Sequence, residues 1–145
     1  MDDLKEGEAR AVEAAREVRD RAHAKHSGFR VGAAVEDARG ELHVGCNVES
    51  ASFGLTLCAE RAALASWIAA GGISHAGEAV RVVIATHGTR PTPPCGACRQ
   101  WLHELAPKAD IIAISDSGAA AVQVARWKAA SLLPDAFDDA DLSGS

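Results

Sequence analysis

Residues 80–86 read VRVVIAT, a run of β-branched and other apolar residues interrupted by one arginine. A short continuous run of this kind is typical of a strand that is covered on both faces, as in a sheet with helices packed on either side. This segment therefore predicts a central strand of an α/β fold.

The segments on either side of this strand alternate between helical and extended patterns. On its N-terminal side we predict an amphipathic helix over residues 3–25, a β-hairpin with strands 29–37 and 42–48, and a buried helix over residues 56–70. On its C-terminal side we predict a helix over residues 95–105, strands at 111–115 and 121–127, and a short helix over 128–133. This order favours a three-layer α/β/α sandwich with a mixed five-stranded sheet and helices on both faces.

Length and charge limit the classes of function. The chain has 145 residues, which fits a single domain spanning residues 1–145. It carries 15 Lys and Arg against 20 Asp and Glu, so it lacks the positive charge of a protein that grips a phosphate backbone. No segment approaches the roughly 20 apolar residues of a membrane span, and the opening MDDLKEGEAR has no apolar core of a secretory signal. We expect a cytoplasmic protein with a small-molecule partner and a frayed acidic tail after about residue 138.

The four cysteines indicate metal or thiol chemistry in a reducing compartment rather than disulfides. Cys95 and Cys98 lie three residues apart in PPCGAC, where a proline-rich loop turns into a helix, so both sulfurs can reach one ion. A helix N-terminus also stabilises thiolate, the form that binds metal. Cys58, at the start of another predicted helix, completes a set of three ligands, and an open fourth position is typical of a catalytic zinc site.

The helix start TLCAERAAL, residues 56–64, adds an acid beside this cluster. Glu60 can take a proton from a zinc-activated water and return it to a substrate nitrogen. Three thiolates leave net negative charge on the site, and Arg61 and Arg99 each follow a key residue, so each can donate to sulfur and withdraw some of that charge.

Other interpretations of the same residues remain open at this point. A lone CxxC is also found in redox pairs and in halves of structural zinc sites, so a noncatalytic zinc-binding scaffold is a second hypothesis. Cys46 lies in the middle of a predicted strand, which favours a small core residue. The six histidines are scattered without metal-ligand spacing.

Taken together, these motifs resemble a known family. CAE followed by PCGAC is similar to the signature of the zinc-dependent nucleobase deaminases, in the version with three cysteines. GFRVGAAV, GCNVESASFGLTLCAER, PCGACRQWL and LLPDAF resemble, in order and spacing, the small homotetrameric cytidine deaminases. The resemblance covers roughly residues 10–137.

The resemblance implies a role for each matching residue. The metal ligands of a Zn²⁺ ion would be Cys58, Cys95 and Cys98, and Glu60 would be the proton shuttle in the hydrolytic deamination of cytidine and deoxycytidine. Substrate contacts would come from five positions: Phe29 beside the pyrimidine, Asn47 and Glu49 at the ribose 3′-hydroxyl, the backbone of Ala59 at the base carbonyl, and Phe137 in a neighbouring subunit's site. From the residues alone, Asn47 and Glu49 also suit a turn or helix cap.

Two segments depart from the family pattern where the sugar would lie. AHAKHSGF lacks the tyrosine and proline that commonly precede the SxF element, and NVESASFG has Ser50 and Phe53 where the family has an amide and a tyrosine. Loss of a hydrogen-bonding hydroxyl removes about 1 kcal/mol of net interaction, which is enough to shift substrate preference. A deaminase of a modified aminopyrimidine nucleoside such as blasticidin S is therefore the alternative to a cytidine deaminase of pyrimidine salvage.

Overall fold

A computed structural model describes residues 4–74, 77–118 and 121–144. Its helices are α1 (Ala9–Arg19), α2 (Ala59–Ala69), α3 (Gly96–Leu105) and α4 (Asp139–Ser143). Its strands are β1 (Gly32–Asp37), β2 (Leu42–Cys46), β3 (Ala79–Thr86), β4 (Asp110–Ser115) and β5 (Gln123–Lys128). Short 3₁₀ turns lie at Phe53–Leu55 and Ala129–Ser131.

The five strands form one mixed sheet in the order β2-β1-β3-β4-β5. Strands β3 and β4 are parallel and joined through α3, whereas the other three neighbouring pairs are antiparallel. Thr86 and Ser115 pair at the carboxyl ends of the two parallel strands, beside the loop that leads to Cys95. The mixed five-stranded sheet predicted from the sequence is confirmed.

Helices cover both faces of the sheet and give three layers. On one face α1 packs its small residues, including Ala11 and Ala15, against Val83 and Ile112. On the other face α2 and α3 pack Leu64, Trp67 and Leu102 against the opposite side of the same strands. The central run of residues 80–86 is therefore covered on both faces, as its sequence predicts.

Two glycines let the helices approach the sheet closely. A Cβ atom built on Gly32 would lie 1.9 Å from the carbonyl oxygen of Ala15 in α1. A Cβ atom built on Gly45 would lie 2.3 Å from the backbone nitrogen of Ala63 in α2. Since α2 begins directly after Cys58, the lack of a side chain at Gly45 sets how deeply the start of this helix sits on β2.

Several predicted boundaries were wrong for identifiable reasons. The first helix was predicted over residues 3–25, but it runs only from Ala9 to Arg19, and residue 3 lies outside the described ranges. After Asp20 the chain turns, and His23 instead pairs with Val48 in an isolated β-bridge. The short helix predicted over 128–133 is a 3₁₀ turn, because β5 extends through Lys128.

The acidic tail, expected to be frayed, contains the short helix α4. Asp138 and Asp141 form a capping box, in which each side chain accepts a hydrogen bond from the other end of the first turn. None of the described helices is long and apolar enough to cross a membrane.

Candidate active site

Two helix starts bring three thiols together. Cys58 is the N-cap of α2, Cys95 is the N-cap of α3, and Cys98 lies in the first turn of α3. Their sulfur atoms all lie within 4.8 Å of one another, and the Sγ atoms of Cys58 and Cys95 are 3.5 Å apart. Zinc–sulfur bonds of about 2.3 Å in a tetrahedron place sulfurs about 3.8 Å apart. The donor set and its spacing therefore fit a zinc ion with one open position.

The electrostatic surroundings favour thiolate at Cys58. Hydrogen bonding from the Cys98 thiol, with a further contribution from the Arg61 guanidinium, lowers the pKa of Cys58 to about 5. Nη2 of Arg61 lies 3.6 Å from the Cys58 sulfur and also donates to the Thr56 carbonyl oxygen at 3.3 Å. The Arg61 guanidinium therefore lies within hydrogen-bonding reach of the Cys58 sulfur.

Arg99 has a different arrangement from the one expected. Its Nε donates to the Pro94 carbonyl oxygen at 2.8 Å, and its Nη1 donates to the Leu132 carbonyl oxygen at 3.0 Å. The expectation that Arg99 donates to a sulfur was therefore wrong. Its guanidinium instead binds two backbone carbonyls.

Glu60 lies next to the cluster in a buried position. It is the second residue of α2, and only 5% of its surface is exposed. Burial disfavours its charged form and raises the pKa of Glu60 to about 7. A carboxyl group with a pKa near neutrality can both accept and return a proton, which suits general acid and base chemistry.

Glu60, Cys58 and Cys95 line a cavity of about 200 Å³. Six of the residues that line it were singled out from the sequence besides Glu60, namely Phe29, Asn47, Glu49, Cys58, Ala59 and Cys95. Five others were not, namely Ser27, Val31, Thr56, Thr92 and Pro93. Four of these five lie within motifs quoted above without an assigned role, and Thr92 lies in the proline-rich loop before Cys95.

Comparison with known proteins agrees with this geometry. Residues 5–114 match the model of the cytidine and deoxycytidylate deaminase zinc-binding region. The chain belongs to the cytidine and deoxycytidylate deaminase family.

Individual members of this deaminase family are similar over most of the chain. A cytidine deaminase of Sporosarcina psychrophila is 34% identical over 128 residues, which cover 88% of this chain and 89% of that protein. One from Halalkalibacterium halodurans is 41% identical over 96 residues, 66% of this chain and 70% of that protein. The crystal structure of cytidine deaminase from Burkholderia pseudomallei superimposes with a TM-score of 0.80 at 38% identity, covering 92% of this chain and 100% of that one.

In this deaminase chain, Asn47 and Glu49 also shape the cavity wall. The Asn47 amide donates to the Phe29 carbonyl oxygen at 2.8 Å and accepts from the Val31 N–H at 2.8 Å. The Glu49 carboxylate accepts hydrogen bonds from the backbone of His26 and from the backbone and hydroxyl of Ser27. Both side chains therefore hold residues 26–31 against β2.

Phe137 lies away from the cavity within the same chain. Its side chain is 58% exposed, and its carbonyl oxygen accepts a hydrogen bond from Gln100 Nε2 at 2.7 Å. Phe137 is not among the residues that line the cavity. A role for this ring at an active site therefore requires the site of another subunit.

A second depression of about 380 Å³ adjoins the cavity. The two share Ser27, Glu49 and Thr56, and the depression is also lined by Ser50 and Phe53. Phe53 is 77% exposed and packs edge-on against His26, with ring centroids 6.0 Å apart. The two positions at which NVESASFG departs from the family pattern thus lie together beside the cavity.

Proposed function

We propose that this protein is a zinc-dependent hydrolase that converts cytidine and deoxycytidine to uridine and deoxyuridine with release of ammonia. The observation that carries the proposal is the opening of Cys58, Cys95 and the buried Glu60 onto one cavity. The cytidine deaminases that are similar over most of the chain support the same substrate class. Such an activity belongs to pyrimidine salvage.

The metal ligands in this proposal are Cys58, Cys95 and Cys98. Zinc, when bound there, acts as a Lewis acid that makes water a better nucleophile at neutral pH. Arg61 withdraws charge from the Cys58 sulfur through its hydrogen bond, which keeps three thiolates from weakening that Lewis acid.

Glu60 moves the protons. Its carboxylate takes a proton from the water that attacks C4 of the base and delivers a proton to N3. It then takes a second proton from the hydroxyl now on C4 and delivers it to the amino group. The C4–N bond breaks, ammonia leaves, and the oxygen stays on C4 as the uracil carbonyl. Burial of Glu60 serves this cycle, because a pKa of about 7 leaves the carboxyl able to change its protonation state in both directions.

The remaining wall residues hold the nucleoside. Phe29 packs against the pyrimidine, and the backbone at Ala59, in the first turn of α2, faces the base carbonyl. An amide has two N–H donors and a carboxylate about four acceptor sites. In hydrogen bonds with other described residues, Asn47 uses one N–H and Glu49 uses three acceptor sites. The unused N–H and acceptor site suit one hydroxyl group, which we assign to the ribose 3′-hydroxyl.

We also propose that residues 1–145 form one catalytic domain that assembles as a cytoplasmic homotetramer. Several large apolar side chains are exposed on the single chain, with Phe53 at 77%, Leu55 at 76% and Phe137 at 58% exposure. In the tetramer Phe137 would complete a neighbouring subunit's site. Gel filtration at one subunit mass with full activity would contradict this assignment.

The test is the ultraviolet absorbance change when purified, zinc-loaded protein is mixed with cytidine, deoxycytidine, cytosine or blasticidin S. We expect Glu60→Gln to lower kcat for cytidine by about 10²- to 10⁴-fold while about one zinc per chain is retained. Glu13→Gln, the same change at an exposed position of α1, should leave kcat unchanged. Absence of ammonia with all four compounds from zinc-loaded protein would favour the noncatalytic zinc-binding scaffold.

The depression beside the cavity supports a second candidate substrate. Because Ser50 and Phe53 line it without a phenol hydroxyl, a modified aminopyrimidine nucleoside such as blasticidin S has room there beyond the sugar. A lower KM for 5′-modified cytidines than for cytidine would favour this candidate, and the reverse order would favour cytidine.

A further inference from the structure

The first turns of α3 hold more than the metal ligands. Nε and Nη1 of the Arg99 guanidinium donate to the carbonyl oxygens of Pro94 and Leu132, at 2.8 and 3.0 Å. The next residue, Gln100, donates to the Phe137 carbonyl oxygen at 2.7 Å. We refer to residues 132–137 as the C-terminal segment. Consecutive side chains of α3 thus hold both ends of this segment.

The Pro94 carbonyl belongs to the peptide that immediately precedes the ligand Cys95. Pro94 is buried, and a buried carbonyl left without a partner costs free energy, so its hydrogen bond to Arg99 fixes the plane of that peptide. Cys95 has extended backbone angles, with φ of −69° and ψ of 171°, as the N-cap of α3. Its side-chain direction therefore depends on the peptide plane that Arg99 holds.

The chemistry of arginine suits this double contact. A guanidinium carries five N–H donors in one rigid plane, so a single side chain can bind two carbonyls that lie in different directions. Lysine has the same charge but only a compact ammonium on a flexible stem. It can replace one of the two hydrogen bonds without fixing the relative positions of both carbonyls.

We propose that Arg99 is a positioning residue of the metal site, which links the peptide before Cys95 to the C-terminal segment. The proposal rests on the zinc site proposed above and concerns the retention of zinc, not the deamination step. It assigns Arg99 a role distinct from that of Arg61, because Arg61 contacts a sulfur directly whereas Arg99 acts through backbone carbonyls. Loosening the C-terminal segment should therefore speed the release of zinc from the site.

The test compares zinc-loaded wild type with Arg99→Lys, Gln100→Ala and a matched control, Arg21→Lys. Arg21 is an exposed arginine just after α1, on the other side of the sheet. One measurement is the rate of zinc transfer to a chromogenic chelator in excess. The other is amide hydrogen exchange of residues 132–137 in the same samples, and circular dichroism verifies that each variant is folded.

We expect Arg99→Lys to release zinc about tenfold faster, as is typical when a partner that orients a metal ligand is lost. The same variant should show faster exchange in the C-terminal segment. Gln100→Ala leaves Arg99 in place, frees the Phe137 end and removes the hydrogen bond of Gln100 to Glu104 within α3, so it should speed zinc release by a smaller factor than Arg99→Lys. This variant also provides the test if Arg99→Lys does not fold. Arg21→Lys should match the wild type in both measurements.

Zinc release from folded Arg99→Lys at the wild-type rate would overturn the proposal. So would faster zinc release with unchanged exchange in residues 132–137, because the two sites would then not be linked. A wild-type chain that binds no zinc would instead contradict the zinc site itself. Wild-type protein that binds zinc but releases no ammonia would contradict only the proposed deamination.

Discussion

Adding a single methyl group at Gly45 tests whether the depth of α2 on the sheet sets the geometry of the site. The Cβ of Gly45→Ala would lie 2.3 Å from the Ala63 backbone nitrogen and 2.6 Å from the Ala62 carbonyl carbon. Ordinary contact begins near 3.4 Å, so β2 and α2 must separate by about 1 Å. Backbone atoms cannot move aside as the end of a flexible side chain can.

The displacement should affect both stability and catalysis. Overpacking of a close-packed core costs about 3 kcal/mol, which corresponds to a fall of about 10 °C in Tm for a domain of this size. Because α2 begins directly after Cys58 and carries Glu60, a shift of about 1 Å should also lower kcat/KM by about 100-fold. Activity is measured per zinc-loaded, folded molecule so that the two effects are separated.

Two other glycines provide matched controls. Gly32→Ala meets the Ala15 carbonyl oxygen of α1 at 1.9 Å, but α1 contributes no residue to the cavity. This variant should lose stability and keep most of its activity per folded molecule. In Gly54→Ala the new methyl group has no atom within 4 Å, so both stability and activity should stay at the wild-type level. A Gly45→Ala variant with wild-type Tm and kcat/KM would show that the close approach at Gly45 does not set the position of α2. Equal losses of activity for Gly32→Ala and Gly45→Ala would show that this position does not matter specifically for catalysis.

Two further predictions concern charged groups. Arg61→Gln removes the donor that lies 3.6 Å from the Cys58 sulfur. If the proposed zinc site is right, zinc affinity should fall about 10- to 100-fold in a competition assay with a chelator. Unchanged affinity and turnover would exclude a role of Arg61 in offsetting charge. Burial opposes ionisation of Asp116, but two arginines of α1 outweigh it and lower the pKa of Asp116, so this carboxylate stabilises the fold at neutral pH. Asp116→Asn should be about 2 kcal/mol less stable than wild type in urea at pH 7, and the difference should shrink as pH falls below about 4. A difference that is constant from pH 7 to pH 3 would contradict this assignment.

Much of the fold followed from local patterns. The β-branched run of residues 80–86 predicted a strand covered on both faces, and α1 on one side with α2 and α3 on the other cover it. The end of α1 did not follow, because the small apolar residues that suit a helix continue through Ala22, which is buried outside the helix. There the backbone hydrogen bonds of His23 go to Asn47 and Glu49 instead, a long-range pairing that no local period contains.

The wall of the cavity was only partly predictable. Residues named for their chemistry, such as Glu60 and Asn47, do line it, whereas Thr92 in the proline-rich loop carries no chemical signal in the sequence. The prediction that Arg99 donates to a sulfur rested only on its position next to Cys98. An arginine side chain is long enough that its neighbours in the chain do not determine which acceptor it reaches.

Residue type and local spacing were enough to single out the candidate reacting groups, since cysteines and a glutamate at two helix starts suit thiolate ligands and a proton carrier. How those groups come together depends on the packed fold. The approach of α2 to β2 at Gly45, the two carbonyls bound by Arg99, and the exposure of Phe137 all depend on segments distant in sequence. Residue type and spacing are encoded along the chain, but contacts between distant segments exist only after the sheet and its helices have packed.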